Sequence, residues 1–167
     1  RGVIHIMQTP AVGQIERKTQ NRVVNLFRDT LGYDYLGNWE DRLGNSNIEE
    51  KILRKYLKEK KGYNETLISK ALYELGKAAN NLNDGLYSAN KKVYELLRYG
   101  VKVKAEAGEN FETVELINWK RPLKNEFAIA EEVTIQGNYE KRPDIVLYVN
   151  GIALGVIELK RSTISIG

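Results

Sequence analysis

The sequence has no cysteine, one histidine, one methionine and only three prolines among its 167 residues. The lack of cysteine excludes disulfides, cysteine-ligated zinc or iron–sulfur centres and a cysteine nucleophile. No apolar run approaches the ~20 residues that a membrane-spanning helix needs, so we expect no transmembrane segment.

The single histidine lies in an N-terminal stretch that is unlike the rest of the chain. His5 precedes the only methionine, Met7, and residues 1–6 read as vector-derived sequence ahead of a native start. On that interpretation the remaining chain has no histidine, which excludes Ser–His–Asp hydrolases and HExxH-type zinc sites. Catalysis would then depend on carboxylates, lysine, arginine, tyrosine or serine.

The composition is that of one globular domain, with 42% hydrophobic and 29% charged residues. A net charge of +4 and a pI of about 9.1 permit a nucleic-acid partner. The absence of a signal peptide and of cysteine leads us to expect a cytoplasmic protein.

Hydrophobic periodicity divides the chain into three zones. A helix is predicted from about Gln14 to Leu31, and the loop after it carries Tyr33, Tyr35 and Trp39, for which packing is favoured over base stacking. A helical zone covers about 47–100, with Asn47 as a plausible N-cap. The predicted helices of this zone are 47–61, 65–80 and 88–98. β-type patterns follow, and the predicted strands are 101–104, 111–117, 127–135, 145–149 and 152–159. This order predicts a mixed α/β (α+β-like) fold with a mostly antiparallel sheet.

Asn150-Gly151 predicts a tight hairpin between two apolar strands. Both faces of this hairpin are apolar, yet the sequence stops soon afterwards at Gly167. We therefore expect the chain to be a piece of a longer protein that is truncated on its C-terminal side.

Three charged residues border or interrupt this hairpin. Asp144 opens the first strand, and Glu158 and Lys160 share one face of the second strand because strand side chains alternate. A two-residue turn pairs Val149 with Ile152 and puts Asp144 on the opposite face. Asp144 can join Glu158 only if the loop has three residues or one strand contains a bulge.

If these residues converge, they form a metal site for phosphodiester hydrolysis. The carboxylates of Asp144 and Glu158 and the backbone carbonyl of Leu159 are hard oxygen ligands suited to Mg²⁺, for which Mn²⁺ can substitute. Lys160 would orient or deprotonate the attacking water. The alternative is that Glu158 and Lys160 form an ion pair or leave the sheet into solvent.

Lys141, Arg142 and Arg161 flank the candidate site. Contact with DNA phosphates and simple exposure explain these basic residues equally well.

Arg142-Pro143-Asp144 and Ile157-Glu158-Leu159-Lys160 resemble the PD-(D/E)xK nuclease signature. More closely, the sequence resembles the N-terminal nuclease domain of the R subunit (HsdR) of type I restriction enzymes. The similar segments are 19–24, 31–33, 97–103, 127–132 and 142–162.

This resemblance implies a restriction-endonuclease-like core in a single domain over residues 7–167. A mixed sheet is flanked by helices, with a helical insertion of about 47–100 between the first core helix and the sheet. Asp144 and Glu158 take the family's metal-ligand roles, and Lys160 takes the role of the catalytic lysine. Glu16 is the expected upstream acidic ligand, with Glu131 and Glu132 as rivals.

The resemblance further implies a metal-dependent endonuclease that acts on double-stranded DNA in an ATP-dependent restriction complex with methyltransferase and specificity subunits. The chain has no GxxxxGK[ST] loop, so ATP would enter only through a motor domain outside this sequence. The glutamine- and tyrosine-containing helix that follows the second strand in related nucleases is also absent, so cleavage by this chain alone is not expected.

Two alternatives remain open from the sequence. The chain could be a non-catalytic docking or DNA-binding module of the same subunit that uses its helical zone for contacts. It could also be a nuclease of this fold that acts on RNA or branched DNA, because hydrolysis attacks a phosphate common to these substrates.

Overall fold

The computed structural model describes residues 12–81, 83, 85–134 and 141–159, with side chains from residue 16 onward. The α-helices are α1 (Val12–Asn25), α2 (Glu50–Glu59), α3 (Glu65–Asn80) and α4 (Leu86–Tyr99), and the strands are β1 (Asp34–Asn38), β2 (Val101–Val103), β3 (Glu112–Val114), β4 (Phe127–Glu131), β5 (Ile145–Val149) and β6 (Ile152–Ile157). A π-helical turn, Leu26–Thr30, extends α1. In the described part of the chain, no helix has the length and apolar character needed to cross a bilayer.

Four strands form a mixed sheet in the order β1-β4-β5-β6. β1 runs parallel to β4, and the other two pairings are antiparallel. Val24 of α1 packs with Ile129 and Ile145 on one face, whereas Trp39, Val146 and other residues form the core on the other face. The predicted mixed α/β class is confirmed.

The helices α2, α3 and α4 form a second layer together with a two-stranded sheet, β2-β3. This inserted layer lies between β1 and β4 in the chain. Its core contains apolar residues of all three helices and both short strands, and Ile152 of the β5-β6 hairpin packs into it. The strands predicted near residues 101 and 112 therefore exist, but they pair with each other and stay outside the main sheet.

The predictions for residues 33–39 and for the start of α2 are wrong because distant pairing overrides local pattern. The predicted loop over 33–39 contains β1, which pairs with β4 and is followed by a bond from the Trp39 N–H to the Glu131 carbonyl at 2.8 Å. Helix α2 begins at Glu50, and Asn47 is not its N-cap. The Asn47 carbonyl accepts instead from the Ala153 N–H at 2.8 Å.

The aromatic side chains of the β1 region contribute mainly to packing. Trp39 is buried beside Tyr148, with ring centroids 5.7 Å apart, and Tyr33 packs against Phe27 at 5.0 Å. The packing predicted from the sequence is confirmed for Tyr33 and Trp39.

The Asn150-Gly151 turn joins the two layers. Both residues have positive φ, 52° and 85°, as a type I′ hairpin requires. The buried Asn150 amide donates to the Leu116 carbonyl at 2.9 Å, and its side-chain oxygen accepts from the Glu126 N–H at 2.7 Å. The Gly151 carbonyl accepts from the Glu49 N–H at 2.7 Å, directly before α2.

We predict that Gly151→Ala destabilises the protein by roughly 2–4 kcal/mol, because strain and crowding add. The new Cβ would lie 2.8 Å from the Glu49 carbonyl oxygen and 3.0 Å from the Leu53 backbone nitrogen. Urea unfolding measures the effect.

Gly76→Ala is the matched control. Gly76 lies inside α3, and apart from the backbone of that helix no atom lies within 4 Å of the position that a Cβ would take. This substitution should stabilise the protein by about 0.5–1 kcal/mol, the usual penalty for glycine in a helix. Equal effects of the two substitutions would contradict the role assigned to the turn.

Candidate functional site

A β-bulge brings Asp144 and Glu158 to one face of the hairpin. Val149 pairs with Ile152 across the two-residue turn, but Leu147 pairs with Gly155 while Tyr148 pairs with Ala153. Leu154 is therefore the extra residue of β6. Beyond the bulge Ile145 pairs with Ile157, and the same register continued by one residue sets Asp144 opposite Glu158.

The backbone and carboxylate of Asp144 are both held by hydrogen bonds. Its Oδ2 accepts from the Leu159 N–H at 2.5 Å. Its carbonyl accepts from the Glu132 N–H at 3.0 Å and from the Gln20 side-chain amide at 3.4 Å. These bonds connect Asp144 to α1, to the end of β4 and to the backbone just after β6.

Glu158 lies one residue beyond the end of β6, which is shorter than predicted, and it is exposed. Within the described ranges its carboxylate has no hydrogen-bond or ion-pair partner. Asp144 is half-buried. The pair therefore combines one carboxylate fixed by the protein with one that is open to solvent.

This oxygen-donor set fits a hard divalent cation that keeps much of its water. Among the described residues, no group of three or more acidic or histidine side chains could hold a metal. Asp144 and Glu158 would supply only two carboxylates, with the Leu159 backbone adjacent. Mg²⁺ is commonly bound by one or two carboxylates, with water and phosphate oxygens completing its octahedron.

Several predicted residues lie outside the described part of the chain. They are residues 1–6, Lys160 and Arg161. The catalytic role of Lys160 and the phosphate contact of Arg161 stay predictions.

Glu16 lies on α1 one helical turn before Gln20, whose amide contacts the Asp144 carbonyl. Glu16 is exposed on α1, which covers the sheet face formed by Ile129 and Ile145. Among the described residues, Glu16 belongs to no group of three or more acidic side chains that could hold a metal. The proposed ligand role of Glu16 stays a prediction.

The rival carboxylate Glu131 is enclosed by donors from the protein itself. Its side chain is nearly fully buried. It accepts hydrogen bonds from the Gln20 amide at 3.0 Å and the Tyr35 hydroxyl at 2.6 Å, and Arg17 lies 3.5 Å away. These contacts engage the Glu131 carboxylate within the protein, and its rival ligand role stays a prediction.

Glu132 is held in a similar way. It follows β4 with a positive φ of 50°, accepts from the Gln20 amide at 2.9 Å and pairs with Arg142 at 3.1 Å. Arg142 also pairs with Glu40. The guanidinium predicted to contact DNA is thus engaged by two carboxylates, whereas Lys141 is exposed and has no ion-pair partner among the described residues.

Sequence reasoning missed Gln20, the residue that connects these groups. It is 3% exposed, and its amide contacts Glu131, Glu132 and the Asp144 carbonyl. One sequence signal could have identified it. Gln20 lies four residues before the buried Val24, so a polar residue occupies the inward side of an amphipathic helix.

We predict that Gln20→Leu lowers the free energy of unfolding by roughly 1–3 kcal/mol, because the buried Glu131 carboxylate loses a donor. Asn21→Leu, at the exposed neighbouring position of α1, should change stability by less than about 0.5 kcal/mol. Urea unfolding compares the two variants, and similar effects would show that the Gln20 contacts contribute little.

Burial, and next the hydrogen bond to Glu131, raise the pKa of the Tyr35 hydroxyl to about 12 from its ordinary value of 10.0. The folded state therefore keeps a proton that the unfolded state loses. We predict that this contribution to stability is complete below pH 10 and is lost as the pH rises towards 12.

Ultraviolet absorbance titration should show Tyr35 ionising late, and Tyr35→Phe should remove one late phase. Tyr148, whose pKa burial also raises to about 12, supplies an internal reference. An unchanged titration curve in the Tyr35→Phe variant would contradict the prediction.

Comparisons with known proteins place this chain in a family. The family described as type I restriction enzyme R protein N terminus matches residues 13–167. Two similar proteins of Methanocaldococcus jannaschii are named putative type I restriction enzyme endonuclease subunits, MjaIXP (28% identical over 141 residues) and MjaVIIIP (29% over 138). The aligned regions cover 78% of this chain in both cases, but only 14% and 13% of those longer proteins. No solved structure matches the chain. The match over 13–167 shows that this chain belongs to the family of type I restriction enzyme R protein N-terminal domains.

Proposed function

We propose that this chain is the DNA-cleaving domain of a type I restriction endonuclease subunit, hydrolysing phosphodiesters with Mg²⁺ held by Asp144 and Glu158. The observation that carries the proposal is the Leu154 bulge, because the register it produces, continued by one residue, would put Asp144 opposite Glu158. Family membership and the names of the two relatives agree with this activity.

The environments of the site residues suit them to different roles. The Leu159 N–H donates to Oδ2 of the Asp144 carboxylate, so its second oxygen would be the metal ligand. Glu158 is exposed and can approach the same cation from the facing strand. Bound Mg²⁺ would stabilise charge on the phosphate and lower the pKa of a water. Lys160 is proposed to orient that water.

The proposal also assigns the chain a place in a larger assembly. DNA would be double-stranded, and the partners would be methyltransferase and specificity subunits. ATP would act only through a motor domain outside this sequence. The chain spans about one-seventh of the relatives' length, so these roles concern the whole subunit.

A non-catalytic docking or DNA-binding module is the second candidate. It is favoured by the small donor set, since no group of three or more acidic side chains among the described residues could hold a metal. In that case the family fold would be kept while the inserted layer makes the contacts.

Calorimetric titration of the chain with Mg²⁺ or Mn²⁺ tests the proposal. We predict that wild type binds metal and that an Asp144→Ala, Glu158→Ala double variant does not. Both residues lie at the periphery of the hairpin, so circular dichroism should show the variant folded. Glu112→Ala, which removes an exposed carboxylate from β3, is the matched control and should bind like wild type.

Equal weak binding by wild type and the double variant would contradict the metal site and favour the docking module. If binding is lost, the full-length subunit with Asp144→Ala should fail to cleave DNA in its complex while retaining ATP hydrolysis.

A further inference from the structure

Helix α4 carries a line of aromatic and basic side chains on its outer side. Its inner side packs through Ala89 and Leu97. Tyr87, Lys91, Tyr94 and Arg98 are spaced by four, three and four residues, so they lie along one line opposite the buried side. We call these four residues, together with Trp119, the α4 stripe.

The aromatic members of the stripe are exposed and partly fixed in place. Tyr87 is 81% exposed and Tyr94 59%. The Trp119 indole N–H donates to the Leu97 carbonyl at 2.8 Å, and the Arg98 guanidinium lies 5.2 Å over its ring. Trp119 nevertheless remains 46% exposed. The stripe therefore presents ring surface to solvent at three places along its length.

The cations of the stripe are not held in ion pairs by the described residues, although Glu95 lies four residues after Lys91. In the described ranges, Lys91 and Arg98 make no ion pair with a carboxylate. Lys92 adds positive charge beside them, and Glu95 is the one acidic residue of α4. Lys120 lines the same surface pocket as Arg98 and Trp119, and the nearby Glu115 carboxylate pairs with Lys61 at 2.7 Å.

We infer that the α4 stripe binds single-stranded nucleic acid. Exposed aromatic rings alternating with unpaired cations match the two needs of an unpaired strand, which are surfaces for base stacking and positive charge for phosphates. The bases of a duplex already stack on one another, so exposed tyrosine and tryptophan rings would add little to the affinity for a duplex. The charge of the stripe complements phosphate.

This surface is separate from the Asp144 site. The stripe belongs to the inserted layer, which meets the main sheet at the Asn150-Gly151 turn. Asp144 lies at the opposite end of β5. Binding at the stripe can therefore be tested independently of the proposed nuclease activity.

The experiment titrates the whole chain with an oligothymidylate of about 12 nucleotides, within the usual site sizes for single strands, in EDTA. The two tryptophans allow a direct readout, since Trp119 is exposed and Trp39 is 9% exposed. Base stacking should quench the Trp119 emission and leave that of Trp39. Trp119→Phe should remove the quenching.

Fluorescence anisotropy of a labelled strand then gives affinities for the variants. Tyr94→Ala should weaken binding roughly 5- to 150-fold, as expected for the loss of one stacked base. Lys91→Ala should reduce the slope of log affinity against log salt by about 0.7. Tyr73→Ala, at an exposed tyrosine of α3 that is 69% accessible, should bind like wild type.

Absence of binding, or equal affinities of the Tyr94→Ala and Tyr73→Ala variants, would overturn the inference. Equal affinity for a duplex of the same length would also overturn it and would indicate phosphate contact alone. The Asp144→Ala, Glu158→Ala variant should bind the strand like wild type, so loss of metal binding and loss of strand binding are distinguishable.

Discussion

The fold depends on the hydrogen bonds of one buried asparagine. Asn150 tolerates the left-handed conformation that the turn needs. Its side chain donates a hydrogen bond to the Leu116 carbonyl and accepts one from the Glu126 N–H. With Gly151 bonded to Glu49, the turn links the main sheet to the inserted layer. A fully bonded polar group inside a core favours one arrangement of the elements around it, because any other leaves buried groups unpaired.

The Leu154 bulge shifts the register of the hairpin, and the candidate site depends on that shift. A regular two-residue hairpin would direct Asp144 and Glu158 to opposite faces, and the single extra residue reverses that outcome. The polar contacts around Gln20 then fix the backbone of Asp144 from the other side of the sheet. The turn, the bulge and the Gln20 contacts therefore all contribute to the position of Asp144.

Local signals predicted much of this structure. The hairpin at Asn150, the bounds of α3 and the strand Ile145–Val149 follow from turn chemistry and periodicity. The requirement for a bulge followed from counting residues, but its position opposite Leu147 and Tyr148 did not, because the pairing across the hairpin sets it. Strand β1, the start of α2 and the role of Gln20 depend on partners about 90 residues or more away, so no local pattern shows them.

The parallel pairing of β1 with β4 has a consequence for how the chain reaches this structure. Asp34 pairs with Ala128 only after the whole inserted layer has been accommodated between them. Closing so long a loop costs entropy before the pairing gains any contacts, and such non-local pairing slows folding. The short helical contacts of the inserted layer can form early. The main sheet, and with it the surroundings of Asp144, would then be completed last.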